Sequence, residues 1–585
     1  MRGRFVRLTA VLLAALLLTG CAGGSRTITL LDTGATATPS YDQSSVDDYS
    51  GEGEFASGSA AASPGEVMPA PATQDQLKNA AQAADERTAA PAASTNYTSA
   101  DVILGIVAAP DAEVNPLHCK YQDIMTINSL VYESMVALDD NRQPSPLLAD
   151  RWAVSGDTWT FSLRDTASFH DGDRLTARDV VDSYNEIMKY PANYWQPLLS
   201  QAVESMTAGD EATVVVKAKG SIGYMLLYAM TFPVASSGTV ASAYPMGTGP
   251  YWYISYDTGY ALRIEQNPLW WRRANTKIHS VVGLFCATNK IAQNLLETGE
   301  IDALASDYPT ISLSRQLSDR QATDYSTNTY ECIVPNLRNS ILGDLAVRQA
   351  LMYAIDRTTL ATTVYAGLVQ ESEVPVIPGS WIYNAQATRF NYSPERALKL
   401  LQDDGWKDID GDNLLEKEVD GSLIDLKLSL ITYDRGTTNT RSEAVDLLAN
   451  QLRMVGFEVT TSVLSSREVY DRMNNGDFQL ALCAFELSDI PNLNFLVGKS
   501  GTSNYERYGN DDMENLLRAT WSASTETDLQ SDMYSLQLKL VEDLPILGLF
   551  FRTGLTVTKI PIGRLDAPRL GDCLRGLPTA SSSTD

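Results

Sequence analysis

The residues whose types and spacing could do chemistry are few and scattered along this chain. Its three histidines are His118, His170 and His279. Only His170, beside Asp171, has an acidic neighbour of the kind a general base uses. That pair stands in His170-Asp-Gly-Asp173, whose glycine and aspartates are turn formers, so a structural role is expected. No GxSxG, HExxH or Walker pattern occurs. Gly247-Thr-Gly249 lacks the lysine of a phosphate loop and reads as a tight turn feeding a strand. Asp408, Asp410 and Asp412 have the 1, 3, 5 spacing of a calcium loop, but position 6 is Asn413 instead of Gly and position 12 is Val419 instead of Glu. A solvated acidic turn is expected there. The chemistry points away from catalysis, a cofactor or a resident metal. Binding remains, for which 27 Tyr and 9 Trp offer wall material among polar anchors.

Length and charge narrow the class. A chain of 585 residues exceeds what one core organises, so several domains are expected. The net charge of −27 repels phosphate backbones and excludes nucleic acid as a partner. Arg2, Arg4 and Arg7 precede an apolar run, Leu8–Leu18, that is too short to span a bilayer. The run ends in Leu18-Thr-Gly-Cys21, which resembles a bacterial lipobox and implies cleavage after residue 20 and lipidation of Cys21. An ordinary secretory signal is the alternative. Six cysteines minus Cys21 leave five, at most two disulfides and one thiol.

Residues 21–96, after the signal peptide of 1–20, are rich in Ala, Ser, Thr, Gly and Pro and read as a flexible tether; a short helix over Gln74–Arg87 is conceivable. Order begins near residue 100 with a strand at DVILGIV and a helix over Tyr121–Val136. Thr158–Leu163 alternates as a half-buried strand, and Thr176 with Asp179 caps a helix. Thr213–Ala218 is a strand and Ser221–Met230 a helix. Val281–Phe285 is a strand, Asn289–Thr298 a helix and Leu345–Ile355 another. The C-terminal third alternates Leu426–Thr432, Arg441–Met454, Phe457–Leu464, Arg467–Asn474 and Phe478–Phe485, a βαβαβ order that argues for a mostly parallel sheet. Asp511–Ala519 and Asp528–Glu542 add helices, and Ile546–Phe551 closes with a strand.

The wording of one stretch goes further. LAxxW, TFxLR, FHDG and LTAxDV follow in order between Pro144 and Val181. GTGPY at 247–251, VRQALMYAIDR at 347–357 and Tyr392-Ser-Pro-Glu395 accompany them. Together they resemble the bacterial extracellular solute-binding proteins of family 5, the peptide and nickel receptors of ABC importers. The resemblance implies an α/β, periplasmic-binding-protein-like fold of class II (cluster C), with two lobes joined by a hinge and an extra small domain. Carried over, lobe I takes 97–138, 243–331 and 545–580, the extra domain 139–242 and lobe II 332–544, leaving 581–585 as a disordered tail.

The same resemblance nominates site residues. A carboxylate for a peptide's ammonium falls in Cys483-Ala-Phe-Glu486-Leu-Ser-Asp489-Ile-Pro491, with Glu486 first and Asp489 second; both being surface acids is the alternative. Arg435, after the strand at Ile431, is the candidate for the ligand carboxylate, or else a surface partner of Asp434. Trp381 and Tyr383 match the family's PPxxWxYN loop, and Asn504-Tyr505 its NY pair. Cys332 and Cys483 match the positions of a family disulfide, two buried thiols being the alternative. With no histidine after His279, a histidine-held metal in lobe II is excluded. The implied function is a non-enzymatic, lipid-anchored monomer on the outer face of the cell membrane. It captures short peptides for an ABC permease and ATPase, and touches the membrane through its lipid alone. A surface peptide or pheromone sensor on the same fold, or a receptor for a nickel chelate or oligosaccharide, is the alternative.

Overall fold

A computed structural model describes residues 101–109, 112–272, 278–387, 390–419, 421–434, 439–559, 562 and 565–579. The lipobox cysteine Cys21, the tether and Arg435 lie outside the described residues. One large sheet dominates, eleven-stranded among the described residues. From one edge it runs Glu458–Leu464, Lys427–Tyr433, Leu480–Glu486, Gln321–Pro335, Leu547–Thr558, Ala303–Ser306, Val102–Val107, Ser280–Cys286, Ala261–Gln266 and Tyr251–Asp257, with Val369–Glu371 also on Leu547–Thr558. The first three are parallel about Lys427–Tyr433, as the alternating pattern requires. Val102–Val107 lies parallel between Ser280–Cys286 and Ala303–Ser306.

Two strands join these halves. Gln321–Pro335 and Leu547–Thr558 pair antiparallel from Gln321 with Thr558 to Ile333 with Leu547, so each belongs to both parts of the sheet. The pairing breaks between Ser326 and Tyr330, a bulge that turns Thr327 and Asn328 out of the ladder. Beside it Glu331 is fully buried. One of its oxygens accepts from Arg441 at 3.0 Å and from Arg552 Nε at 2.8 Å. Helix Thr440–Arg453 is thereby tied to both crossing strands.

A separate four-stranded antiparallel sheet, Ala149–Ser155, Thr158–Leu163, Thr213–Ala218 and Val203–Asp210, carries the alternating stretch. Trp159, Phe161 and Leu163 are buried on its inner face. His170-Asp-Gly-Asp173 is a turn, with Gly172 at φ +90°. Thr176 N and Oγ1 both donate to Asp179 Oδ2, opening helix Ala177–Ile187.

Three expected elements differ. The helix from Tyr121 stops at Val131. Gly249 N takes the Val131 carbonyl and Tyr132 swings extended to donate to Pro245 O, leaving Val136–Leu138 to pair as a strand. In Ser221–Met230 only Leu226–Ala229 is helical, because Gly223 N and Tyr224 N donate to Trp521 O and Ala523 O. The closing strand runs seven residues past Phe551 to Thr558 because Ala303–Ser306 pairs with its end. The aspartates at 408, 410 and 412 are exposed and cap their own loop, Asp408 accepting from Gly411 N and Asn413 N.

Replacing Glu331 with Gln removes the buried carboxylate to which both Arg441 and Arg552 donate. The expected result is a loss of about 3–5 kcal/mol of stability, measured as a fall in the urea midpoint.

Candidate functional site

Three segments of the chain converge on one buried carboxyl. Glu133 follows the helix that ends at Val131, and its Oε2 accepts from Thr248 Oγ1 at 3.0 Å and Trp271 Nε1 at 2.7 Å. Gly247 and Gly249 permit this junction, since a Cβ on either would stand 2.2 and 2.6 Å from the Val131 carbonyl oxygen. Burial pushes the Glu133 carboxyl up to about 7, against the pull of Trp271, Thr248 and Arg272. Arg272 lies 5.4 Å over the Trp270 ring and 5.8 Å over Trp271.

Glu133 lines a cavity of about 410 Å³. Its wall includes Tyr132, Tyr194, Trp195 and Trp270, four guanidiniums (Arg142, Arg272, Arg569, Arg575) and four carboxyls (Glu133, Asp489, Asp566, Asp572). Arg142 comes from the turn Asp139–Gln143, where its backbone is left-handed at φ +61°. That conformation suits Gly or Asn and costs an arginine about 1 kcal/mol or more. From it the side chain donates to Ser326 Oγ at 2.8 Å and Asn328 Oδ1 at 3.3 Å, and stands 3.9 Å from Asp489 Oδ1. Asn328, turned out by the strand bulge, donates to Asp489 Oδ1 at 2.8 Å, and the Tyr194 hydroxyl donates to Oδ2. Burial lowers the Arg142 guanidinium, with Asp489 opposing. Burial also draws Arg569 down to about 10, Asp572 opposing while Arg142 and Arg575 add repulsion.

The nominated residues divide. Asp489 lines the cavity; Glu486 ends its strand opposite Thr329, half-buried, and does not. Glu486 is held in the ladder and Asp489 lies in the loop beyond it. Trp381 is buried where separate segments meet, its Nε1 donating to Tyr228 OH at 2.9 Å and its N to Asn141 O at 2.9 Å. Neither it nor Tyr383 lines the cavity. Tyr505 is 2% exposed, packed beside Phe485 and Tyr470, and is a core residue here. Cys332 and Cys483 are direct cross-strand partners, fully buried, and are free thiols in this structure. The sequence reading missed Arg142, Tyr194, Asn328 and Glu133. An arginine in a turn rich in Asp and Asn was the one local signal for Arg142.

The matched family model, bacterial extracellular solute-binding proteins, family 5, middle region, covers residues 143–506. The chain belongs to this family. It is 25% identical over 480 residues to the oligopeptide-binding protein AppA of Bacillus subtilis, spanning 77% of this chain and 86% of that one. It is 26% identical over 403 residues to the nickel-binding periplasmic protein of Escherichia coli, 63% and 74% of the two chains. The fold matches the ABC transporter substrate-binding protein CtaP of Listeria monocytogenes with a TM-score of 0.66 at 19% identity, over 82% and 99% of the chains. The family 5 chain is thus a solute-binding protein and not an enzyme, with a two-lobe α/β fold. Among its described residues no helix is long and apolar enough to cross a membrane.

Glu133 supplies a pH test. The folded chain holds its proton to about pH 7, whereas the free carboxyl releases it near 4.5. The folded state binds more protons in that window, so stability falls as pH rises from about 4.5 to 7 and levels off above. Asp123, also pushed up to about 7 by burial, adds a slope of the same sign. Glu133→Gln is expected to flatten this decline without abolishing it, read as urea midpoints across the window.

Proposed function

We propose that this chain is the exported, lipid-anchored binding component of an ABC importer, and that it carries short peptides. The observation that supports this reading best is the cavity itself. It presents both signs of charge, four guanidiniums and four carboxyls, among aromatic walls. A zwitterion with an amide backbone is the ligand such a mixture suits. The oligopeptide-binding name of the Bacillus relative agrees with it. Asp489 is the anchor for the ligand's ammonium, taking the place that Glu486 held in the sequence reading.

In this reading lobe I comprises 97–138, 243–331 and 545–580, the small domain 139–242 and lobe II 332–544. The strands Gln321–Pro335 and Leu547–Thr558 act as the hinge, and closure brings Asp489 to Arg142 and Trp381 to Tyr228. The closed form is what the permease engages. Cys21 carries the lipid, and residues to about 96 form the tether. In the oxidising space outside the cell Cys332 and Cys483 form a disulfide. Alkylation of the denatured, unreduced protein is then expected to label three of the five remaining cysteines, since two of the five are bonded; labelling of all five would exclude the bond.

The binding test is native mass spectrometry of the full lipidated chain, purified in detergent without refolding, with bound species released and sequenced. A mixture of short peptides is expected. Asp489→Asn should weaken their binding by roughly 10- to 100-fold, the worth of a hydrogen bond to a charged group. Release of a sugar or a metal chelate, or an empty protein, would overturn the peptide assignment.

A further inference from the structure

A second, smaller cavity of about 50 Å³ shares Leu138, Arg142 and Asp489 with the main one. Its walls come from separate parts of the chain: Leu138, Arg142 and Tyr228 on one side, segments 375–382 and 487–493 on the other. Pro375, Val376, Ile377, Ile382, Ile490 and Leu493 give it an apolar lining.

Apart from Arg142 and Asp489 at the border with the main cavity, its side-chain polar groups are engaged within the chain. The Tyr228 hydroxyl accepts from Trp381 Nε1. Ser380 Oγ donates to Ile377 O at 2.7 Å, Ser488 Oγ accepts from Ile490 N, and Asn492 Oδ1 accepts from Asn494 N. A polar ligand group entering past the Asp489 border would give up water for a lining that is mostly apolar. An apolar group gains by the same exclusion.

Resting on the peptide reading, we propose that this cavity receives the side chain of the ligand's first residue and selects a short aliphatic one. The geometry follows from covalent structure. An ammonium held by Asp489 lies one bond from the α-carbon, so the first side chain starts at the border the two cavities share. The remainder of the peptide runs into the larger space. At about 10–15 Å³ per small probe, 50 Å³ admits about four heavy atoms, the size of a Val or Leu side chain. Each buried methylene is worth about fourfold in affinity. With three and four side-chain carbons, Val and Leu at the first position therefore gain up to roughly 60- and 250-fold over Gly. Phe does not fit, and Lys is longer than the space and sets its own charge against the ligand's ammonium for the same carboxylate, Asp489. Because the walls come from both sides of the cleft, a side chain placed there also holds them together.

The test uses the full mature chain in detergent and five pools of short peptides, each with one fixed first residue: Gly, Val, Leu, Phe or Lys. Competition against a fluorescent peptide from the released mixture is expected to rank Leu and Val at least about tenfold above Gly, Phe and Lys. Val376→Phe fills the cavity and should collapse the Leu-to-Gly ratio to within about twofold. If that variant does not fold, Ile490→Ala enlarges the space and should raise Phe above Leu. Equal affinity of all five pools overturns this subsite and leaves the peptide reading intact. Failure of every pool to bind, with no peptide released from the native protein, overturns both.

Discussion

One buried carboxylate carries more of this architecture than any other single group. Glu331 sits in the strand that crosses from one half of the great sheet to the other, and its partners are Arg552 on the second crossing strand and Arg441 on a helix beside them. Taking this carboxylate out of water carries a desolvation cost that is offset only while its two guanidinium partners keep their geometry. The arrangement therefore fixes the register of the two strands at the place where they must also bend.

The bulge next to that carboxylate converts a structural need into a functional one. Breaking the ladder between Ser326 and Tyr330 releases Asn328 to face the cavity, where it meets Arg142 and Asp489, while Ser326 at the edge of the break accepts from Arg142. Arg142 in turn adopts a backbone conformation that an arginine enters at a cost. Strain, bulge and buried charge thus cluster within one region, where the two sets of elements meet. The rest of the chain, with its regular helices and buried strands, holds that region in place.

Much of the scaffold was legible in the residues. Thr158–Leu163, Thr213–Ala218 and Asn289–Thr298 occur where period and capping put them: the helix satisfies its bonds locally, and the two strands pair within one small sheet, with each other and with an adjacent strand each. The elements that differ are those whose backbone is claimed from far away. Val131 loses its helix to Gly249, and Gly223 and Tyr224 lose theirs to Trp521 and Ala523. The site was less legible for the same reason. Asp489 could be reached through the family's wording, but Tyr194 and Asn328 meet it across 295 and 161 residues, and no local pattern reports such a meeting. Tyr505 shows the converse: a motif residue buried for packing beside Phe485.

Asp489 is surrounded by donors of its own chain, and that has a consequence for turnover. The hydroxyl of Tyr194, the amide of Asn328 and the nearby guanidinium of Arg142 act as a built-in competitor. With Asp489 as the anchor we propose, an arriving cation would gain only the difference between its bonds and the ones it displaces. Affinity is thereby capped from within, and escape is quickened, because the internal donors stand ready to close over the acid as the cargo leaves. A carrier profits from that ceiling, since cargo held without limit would never be handed on.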